Sequence, residues 1–214
     1  MFRTSIRRTL RPLGAAVALT LLVATIAPRV SPTSAATRPA AATRATAPAF
    51  DQQFIDMMAP HHQGAVAMAQ IALMRAQHPQ IKSLARSIIA DQNSEIAQMK
   101  AWRQAWYGSA ATPGMAAMPM LPGMTMGMSG MTMMRDIARL KTATPFDKAF
   151  IDAMLPHHQM AIDAATLELA RGSHPQLKAL ALSIIKGQSR EEGLMQAYRA
   201  LWYGSAGMGH MGGM

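Results

Sequence analysis

The sequence predicts an all-α fold, a four-helix bundle built from two duplicated helical hairpins. The first observation is an internal repeat: residues 50–109 align with residues 146–205 without a gap and are identical at 32 of 60 positions. The second is a helical period, because apolar side chains in residues 79–107 recur every three or four positions. The third is that no segment alternates as a half-buried strand does. Repetition of one supersecondary unit therefore accounts for the folded part.

Each repeat is expected to contain two helices separated by a short turn. In the first repeat they run from about residue 48 to 76 and from about 79 to 107. His78-Pro79 separates them, since proline fits the first turn of a helix. Gly108 ends the second helix, because glycine adopts a left-handed conformation readily. The second repeat follows the same division, and each His-Pro histidine is expected to serve its turn rather than bind a ligand.

The first 35 residues have the pattern of a secretory signal. Residues 1–12 contain four arginines, and residues 13–27 are apolar. This apolar run is shorter than the roughly 20 residues that a transmembrane helix needs. We therefore expect cleavage near Ala36, a flexible tether over residues 36–49, and an exported protein, periplasmic or extracellular, without a membrane span. A retained membrane anchor is the alternative.

Composition excludes several classes of site and partner. The chain has no cysteine, so it can form neither a disulfide nor a thiolate metal site. The net charge of +10 arises mainly in residues 1–49, which hold seven arginines and no acidic residue. Only a weak basic bias remains beyond them, so a nucleic-acid partner is not expected. Methionine is unusually abundant, with 21 copies.

Residues 110–134 form a Met-rich linker between the first hairpin, residues 50–109, and the second, residues 135–205. Nine methionines lie there among Gly, Pro and Thr, so we expect little regular structure and no part in holding the fold together. Thioethers are soft ligands that favour Cu(I) and need no deprotonation. A flexible surface for a protein partner and an oxidant sink are the alternatives. The candidate ligands are Met118, Met120, Met124, Met126, Met128, Met131 and Met133. The tail, residues 206–214, is rich in Met, His and Gly.

A second kind of candidate site lies within each hairpin. Met58, His61 and His62 recur at helical spacing on one helix, while Glu95 and Met99 lie in the apolar stripe of the next. A carboxylate in an apolar stripe is costly unless it is paired or bound to a cation, so a metal is a sensible partner. Adjacent histidines point about 100° apart, which leaves open which of them is a ligand. Core packing explains a single methionine equally well. The second hairpin repeats the set as Met154, His157, His158, Glu191 and Met195.

The motifs M-x-P-H-H-Q-x-A, H-P and Q-x-x-E-x-x-x-M resemble those of a bacterial domain-of-unknown-function family, number 305. The resemblance covers residues 50–107 and 146–203, as two copies of the motif in tandem. It implies a ferritin-like helical architecture and, through the CopM-type periplasmic members, copper binding. By resemblance, the metal-binding positions are Met58, His61, His62 and Met99 in the first unit and Met154, His157, His158 and Met195 in the second.

Together these features predict an exported copper-binding protein rather than an enzyme. Cu(I) is favoured, Cu(II) can bind through His, and Ag(I) is a soft mimic. Sequestration, resistance and trafficking all fit, with a copper-donor or copper-acceptor protein as partner. The alternatives are a ferritin-like di-metal oxidase and an interaction module with a Met-rich surface. The Glu-x-x-His motif of di-iron bundles does not occur in the sequence, which argues against the oxidase.

Overall fold

The computed structural model describes residues 49–124 and 129–204, and within them it contains five α-helices and no strand. The first hairpin is α1 (Phe50–Arg75) and α2 (Pro79–Tyr107), and the second is α4 (Phe146–Arg171) and α5 (Pro175–Tyr203). A shorter helix, α3 (Gly130–Leu140), lies between them. The all-α prediction is confirmed. The predicted signal segment, nearly all of the tether, and the tail lie outside the described residues.

Local chemistry explains where the long helices begin and end. Pro79 and Pro175 stand in the first turns of α2 and α5, where the missing N–H costs nothing. Gly108 follows α2 with φ of 77°, a left-handed conformation that suits glycine. Pro60 and Pro156 lie inside α1 and α4, each directly before a histidine pair. Both helices continue through their proline.

The two hairpins place α1 and α4 at the centre and α2 and α5 outside. The central helices are buried on most sides, as expected for helices that are apolar all round. The outer helices bury one stripe each and pack mainly on their own hairpin partners. No helix in the described ranges is long and apolar enough to cross a membrane.

Two apolar clusters fill the ends of this core. The Phe54 cluster joins the first half of α1 to the second half of α4, and the Phe150 cluster joins the remaining halves. The central helices therefore run in opposite directions past each other, with their histidine pairs at mid-length. The Phe54 cluster includes Phe54, Met58, Met99, Ala164 and Ile184. The Phe150 cluster includes Ala69, Ile88, Phe150, Met154 and Met195.

Reciprocal contacts tie the hairpins together with two-fold pseudosymmetry. Asp147 accepts hydrogen bonds from the backbone N–H groups of Gln77 and His78, at 3.0 and 2.8 Å, and from His78 Nδ1 at 2.5 Å. Its repeat counterpart Asp51 accepts from the backbone N–H groups at residues 173 and 174 and from Nδ1 of His174. Each of these histidines also stacks on a tryptophan with ring centroids 3.7 Å apart. Both histidines stand at the turns, as expected, but their side chains bind the opposite hairpin and do not cap their own helices.

The Met-rich linker is more ordered than the sequence analysis expected. It contains a short 3₁₀ turn, Met115–Ala117, and the start of α3, whose N-cap Ser129 accepts a hydrogen bond from the backbone of Thr132. Leu121 and Met133 are fully buried. Little regular structure is present in residues 110–114 and 118–124, as expected, whereas residues 129–134 begin a helix because they carry a cap and helical spacing.

Candidate metal centre

The centre of the molecule is the contact between two histidines of different hairpins. His61 on α1 and His157 on α4 lie with ring centroids 3.7 Å apart and ring planes inclined by 33°. Both side chains have no solvent exposure. They are repeat counterparts, so the pseudosymmetry axis passes between them. The sequence predicted two sites, one within each hairpin, whereas the structure brings the two histidine pairs to a single layer.

Neither ring nitrogen of His61 or His157 has a hydrogen-bond partner. Burial lowers the pKa of both side chains well below 6.5, and the positive charge of the neighbouring imidazoles lowers it further. The backbone of the opposing histidine raises each pKa by a smaller amount. Both rings are therefore neutral at physiological pH, and each offers an unprotonated nitrogen. A buried polar group without a partner costs about 1–3 kcal/mol, so these rings need an explanation.

The second histidine of each pair is held by a carboxylate from an outer helix. His62 Nε2 lies 2.7 Å from Glu95 Oε2, and His158 Nε2 lies 2.7 Å from Glu191 Oε2. An ionised carboxylate can only accept a hydrogen bond, so Nε2 donates it and Nδ1 is the ring nitrogen left for another partner. Nδ1 of both histidines is buried without a partner. A carboxylate that orients a histidine in this way is the arrangement found behind metal-ligating imidazoles.

We call the four residues His61, His62, His157 and His158 the histidine layer. Six of their eight ring nitrogens have no hydrogen-bond partner: both in His61 and His157, and Nδ1 in His62 and His158. The sequence left open which histidine of each pair is a potential ligand, and the structure leaves a free nitrogen on both. Within the described ranges, no group of three or more His, Asp or Glu side chains is arranged to hold a metal ion. A metal bound here would accordingly use few nitrogen ligands and draw others from sulfur.

The predicted thioethers lie on either side of the histidine layer. Met58 and Met99 belong to the Phe54 cluster, and Met154 and Met195 belong to the Phe150 cluster. All four side chains are fully buried. The two methionines expected to act together in each hairpin therefore lie in the same cluster. Their position fits core packing and metal ligation equally well.

The linker methionines divide into buried and exposed groups. Met133 is fully buried, whereas Met118 and Met124 are partly buried against the Phe54 cluster. Met120 and Met131 are 52% and 65% exposed. Met126 and Met128 lie outside the described residues.

Met133 rests against α1 at Gly64, one turn after His61. A Cβ on this glycine would lie 1.9 Å from the Met133 sulfur, so any larger residue would force the Met133 side chain to move. The repeat counterpart of Gly64 is Met160, which is buried and supplies a thioether from α4 itself. The thioether beside α1 at Gly64 therefore comes from the linker residue Met133. At the equivalent position of the second hairpin, α4 supplies its own thioether, Met160.

A solvent-open groove between α2 and α5 leads towards the histidine layer. Its volume is about 690 Å³. Gln92 and Gln188 line it, one helical turn before Glu95 and Glu191, which line it as well. Both glutamine side chains are buried, and their amide atoms have no hydrogen-bond partner. Both are the glutamine of the Q-x-x-E-x-x-x-M motif, but an amide in an apolar stripe does not by itself indicate a site.

Comparison with known proteins agrees with this architecture. The family model of a domain of unknown function, DUF305, matches residues 51–199. The chain belongs to the DUF305 family. The match is one span that includes both hairpins, so two family domains in tandem stay a prediction.

Solved structures of CopM are similar to the chain. CopM in its Cu(I)-bound form is 40% identical, with a TM-score of 0.59, and the match covers 72% of this chain and 98% of CopM. CopM in its Cu(II)-bound form is 43% identical, with a TM-score of 0.60, covering 72% of this chain and 97% of CopM. A DUF305 protein from Streptomyces coelicolor is 25% identical, with a TM-score of 0.61, covering 76% of this chain and 98% of that protein.

A curated relative matches a shorter part of the chain. Uncharacterized protein L153 of Acanthamoeba polyphaga mimivirus is 41% identical over 49 residues. The match covers 23% of this chain and 32% of the viral protein, so it spans about a third of that relative.

Proposed function

We propose that this protein is an exported copper-binding protein that acts in copper sequestration, resistance or trafficking, and that it is not an enzyme. One observation carries the proposal: buried, neutral imidazoles of two hairpins meet at the centre of the fold with nitrogens that no protein group satisfies. Such nitrogens are ligands for a metal. The similar CopM structures hold Cu(I), Cu(II) or silver.

The donor set favours Cu(I). The core around the histidine layer supplies neutral imidazole nitrogens and thioether sulfurs, and soft ligands of this kind select Cu(I) over magnesium, calcium or manganese. Cu(I) accepts few ligands, which suits a core where no three His, Asp or Glu side chains of the described residues are arranged around one ion. Zinc would use the imidazoles but gain little from the thioethers. Cu(II) and Ag(I) are secondary ligands of the same site.

Individual residues have distinct parts in this proposal. One ion would take few of the nitrogens in the layer, either from His61 and His157 or from the Nδ1 atoms of His62 and His158. Glu95 and Glu191 keep the proton on Nε2 and fix the ring orientation. The buried thioethers next to the layer complete the coordination, namely Met58, Met99, Met154 and Met195.

The linker and the N-terminal segment have their own roles. Exposed thioethers such as Met120 and Met131 can take and release copper faster than buried sites can, which suits exchange with a copper-donor or copper-acceptor protein. Residues 1–35 would direct export of the protein. After cleavage of this signal, the mature chain would have no membrane span. The di-metal oxidase has less support, because such centres need several converging carboxylates and histidines.

A competition titration with a colorimetric Cu(I) chelator tests the proposal. The double variant His61→Leu with His157→Leu should lose at least one tightly bound Cu(I) per chain while keeping its helical circular dichroism. Leucine satisfies the buried space without an unpaired nitrogen, so the fold should be kept. The matched control is Gln63→Leu with Gln159→Leu, on the same two helices, which should bind copper like the parent. Equal Cu(I) stoichiometry and affinity in all three proteins would refute the proposal.

A further inference from the structure

The histidine layer is closed on most sides. The Phe54 and Phe150 clusters fill the core beyond it in both directions along α1 and α4. On the side of α3, the buried Met133 covers α1 at Gly64. An ion crossing any of these regions would have to leave water for apolar surroundings, which is costly for a charge.

The groove between α2 and α5 offers a different path. Exposed side chains form its rim, and they include Asp91 and Ser94 on α2 and Lys186 and Arg190 on α5. The charges at the rim are therefore mixed. The deeper lining contains Glu95 and Glu191, whose carboxylates already contact histidines of the layer, together with the two buried glutamines.

The side chains of Gln92 and Gln188 distinguish this groove from the apolar sides of the layer. Their side chains are 2% and 4% exposed, and neither amide oxygen nor amide nitrogen makes a hydrogen bond. Unsatisfied amides are expensive in a core, yet here two of them stand at repeat-equivalent positions beside the same groove. The amide oxygens stand on both walls of the groove, one on α2 and one on α5, where they would replace part of the water around a passing cation.

We infer that copper enters and leaves the histidine layer through the groove between α2 and α5, with Gln92 and Gln188 as its polar lining. This inference rests on the proposed function, since it concerns the same metal. It identifies residues that govern the rate of exchange. A plug in the groove should slow uptake and release alike and leave the affinity unchanged.

Two glycines of α5 provide a matched pair for the test. A Cβ on Gly187, which lines the groove, or on Gly193, which lies on the exposed surface of α5, would meet no atom within 4 Å. Gly187→Trp and Gly193→Trp therefore add the same bulk to the same helix, inside and outside the groove. Replacing a glycine within a helix also favours the helical state in both.

The measurement is the release of Cu(I) from the loaded protein to excess bathocuproine disulfonate, followed by stopped-flow absorbance. The phase that disappears in the His61→Leu with His157→Leu variant reports the histidine layer. This phase should be at least about tenfold slower in Gly187→Trp, because release then requires a conformational change, and unchanged in Gly193→Trp. Cu(I) affinity should be equal in both.

Three other results have distinct meanings. A parental release rate in Gly187→Trp would overturn the passage and leave the proposed function intact. Absence of any histidine-dependent phase in the parent would overturn both. If Gly187→Trp does not fold, Gln92→Leu with Gln188→Leu replaces it, since leucine keeps the volume but removes the polar lining. A parental rate in that variant would likewise overturn the passage.

Discussion

At the scale of single residues, His61 and His157 determine how the protein responds to acid. Burial holds their pKa well below 6.5, so the unfolded chain takes up protons in a pH range where the folded chain does not. Stability of the metal-free protein should therefore rise with pH in the window below about 6.5 and become independent of these two groups above it. The same neutrality makes both rings available to a metal at physiological pH.

The first prediction concerns this pH dependence. The free energy of unfolding of the metal-free protein should fall as the pH is lowered from 7 to 5, by up to about 1.4 kcal/mol per pH unit for each proton. The His61→Leu with His157→Leu variant should show a smaller slope. Urea denaturation at several pH values measures both. Parallel curves for parent and variant would show that the two rings are not held neutral by the fold.

Glu168 makes the stability of the folded protein fall as the pH rises, whereas His61 and His157 make it rise. Burial, and then the nearby Asp51 carboxylate, raise its pKa to about 8, from an ordinary value of 4.5. Asp51 has a lowered pKa instead: burial opposes ionisation, but hydrogen bonds from His174 and Ser173 outweigh it. The folded chain thus holds a proton on Glu168 that the unfolded chain releases. Its contribution is complete below pH 4.5 and is lost as the pH rises towards 8.

The second prediction follows for Glu168→Gln, which imitates the protonated carboxyl. Near pH 5 the variant should be about as stable as the parent. At pH 8 it should be more stable, by on the order of 2 kcal/mol, because it has no proton to lose. Thermal or urea unfolding at the two pH values measures the difference. A variant that is equally destabilised at both pH values would contradict the raised pKa.

At the scale of elements, α3 shows how a segment outside the repeat becomes part of the core. Met133 occupies space that Gly64 leaves open, and Leu121 joins the Phe54 cluster. Deletion of residues 115–134 would therefore remove buried side chains as well as candidate copper ligands. Loss of copper in such a deletion is ambiguous, and point substitutions in the exposed methionines are the better test.

The third prediction uses this contact. Gly64→Met makes the first hairpin like the second, where Met160 fills the equivalent place, and it should displace Met133. The cost should be about 1–3 kcal/mol, as for other overpacked cores, and the linker should become more sensitive to proteases. Adding Met133→Ala should recover part of the loss. Gly187→Met, in open space, is the control and should not be destabilising. Equal protease sensitivity in both single variants would argue against docking of α3 on Gly64.

At the scale of the whole molecule, the reciprocal contacts make the two hairpins one unit. Asp51 and Asp147 each satisfy backbone N–H groups of the opposite hairpin. Arg75 stacks over the ring of Phe146, and Arg171, its repeat counterpart, stacks over Phe50. These reciprocal contacts between the hairpins hold α1 and α4 so that their histidine pairs meet.

The fourth prediction is that Asp51→Ala and Asp147→Ala each destabilise the protein by roughly 1–3 kcal/mol, because each removes a buried carboxylate that accepts several hydrogen bonds from the other hairpin. Asp152→Ala is the control. Asp152 is 37% exposed and binds Lys148 and Arg199, so its loss should cost less than about 1 kcal/mol. Chemical denaturation measures all three. Equal effects for Asp147 and Asp152 would show that the cross-hairpin contacts add little to stability.

The sequence predicted the helical fold and the candidate residues within each hairpin, but not how the two hairpins meet. The repeat, the His-Pro turns and the 3.6-residue period were sufficient to predict two hairpins. Helical spacing placed Glu95 in the stripe that faces the histidine helix, but the choice of His62 as its partner came from the structure. The meeting of His61 with His157 did not follow, because spacing within a repeat carries no information on how the two copies pack. The burial of Met133 was missed because its space is created by a glycine about 70 residues earlier in the chain.

X-ray absorption at the copper edge, on protein loaded with one equivalent of Cu(I), tests the central claim most directly. We expect a mixed first shell of nitrogen and sulfur, with the outer-shell scattering that imidazole rings produce. We also expect that the imidazole scattering disappears in the His61→Leu with His157→Leu variant. A first shell of sulfur alone in the parent would contradict the account, because copper would then lie among the linker methionines and the histidine layer would be only structural.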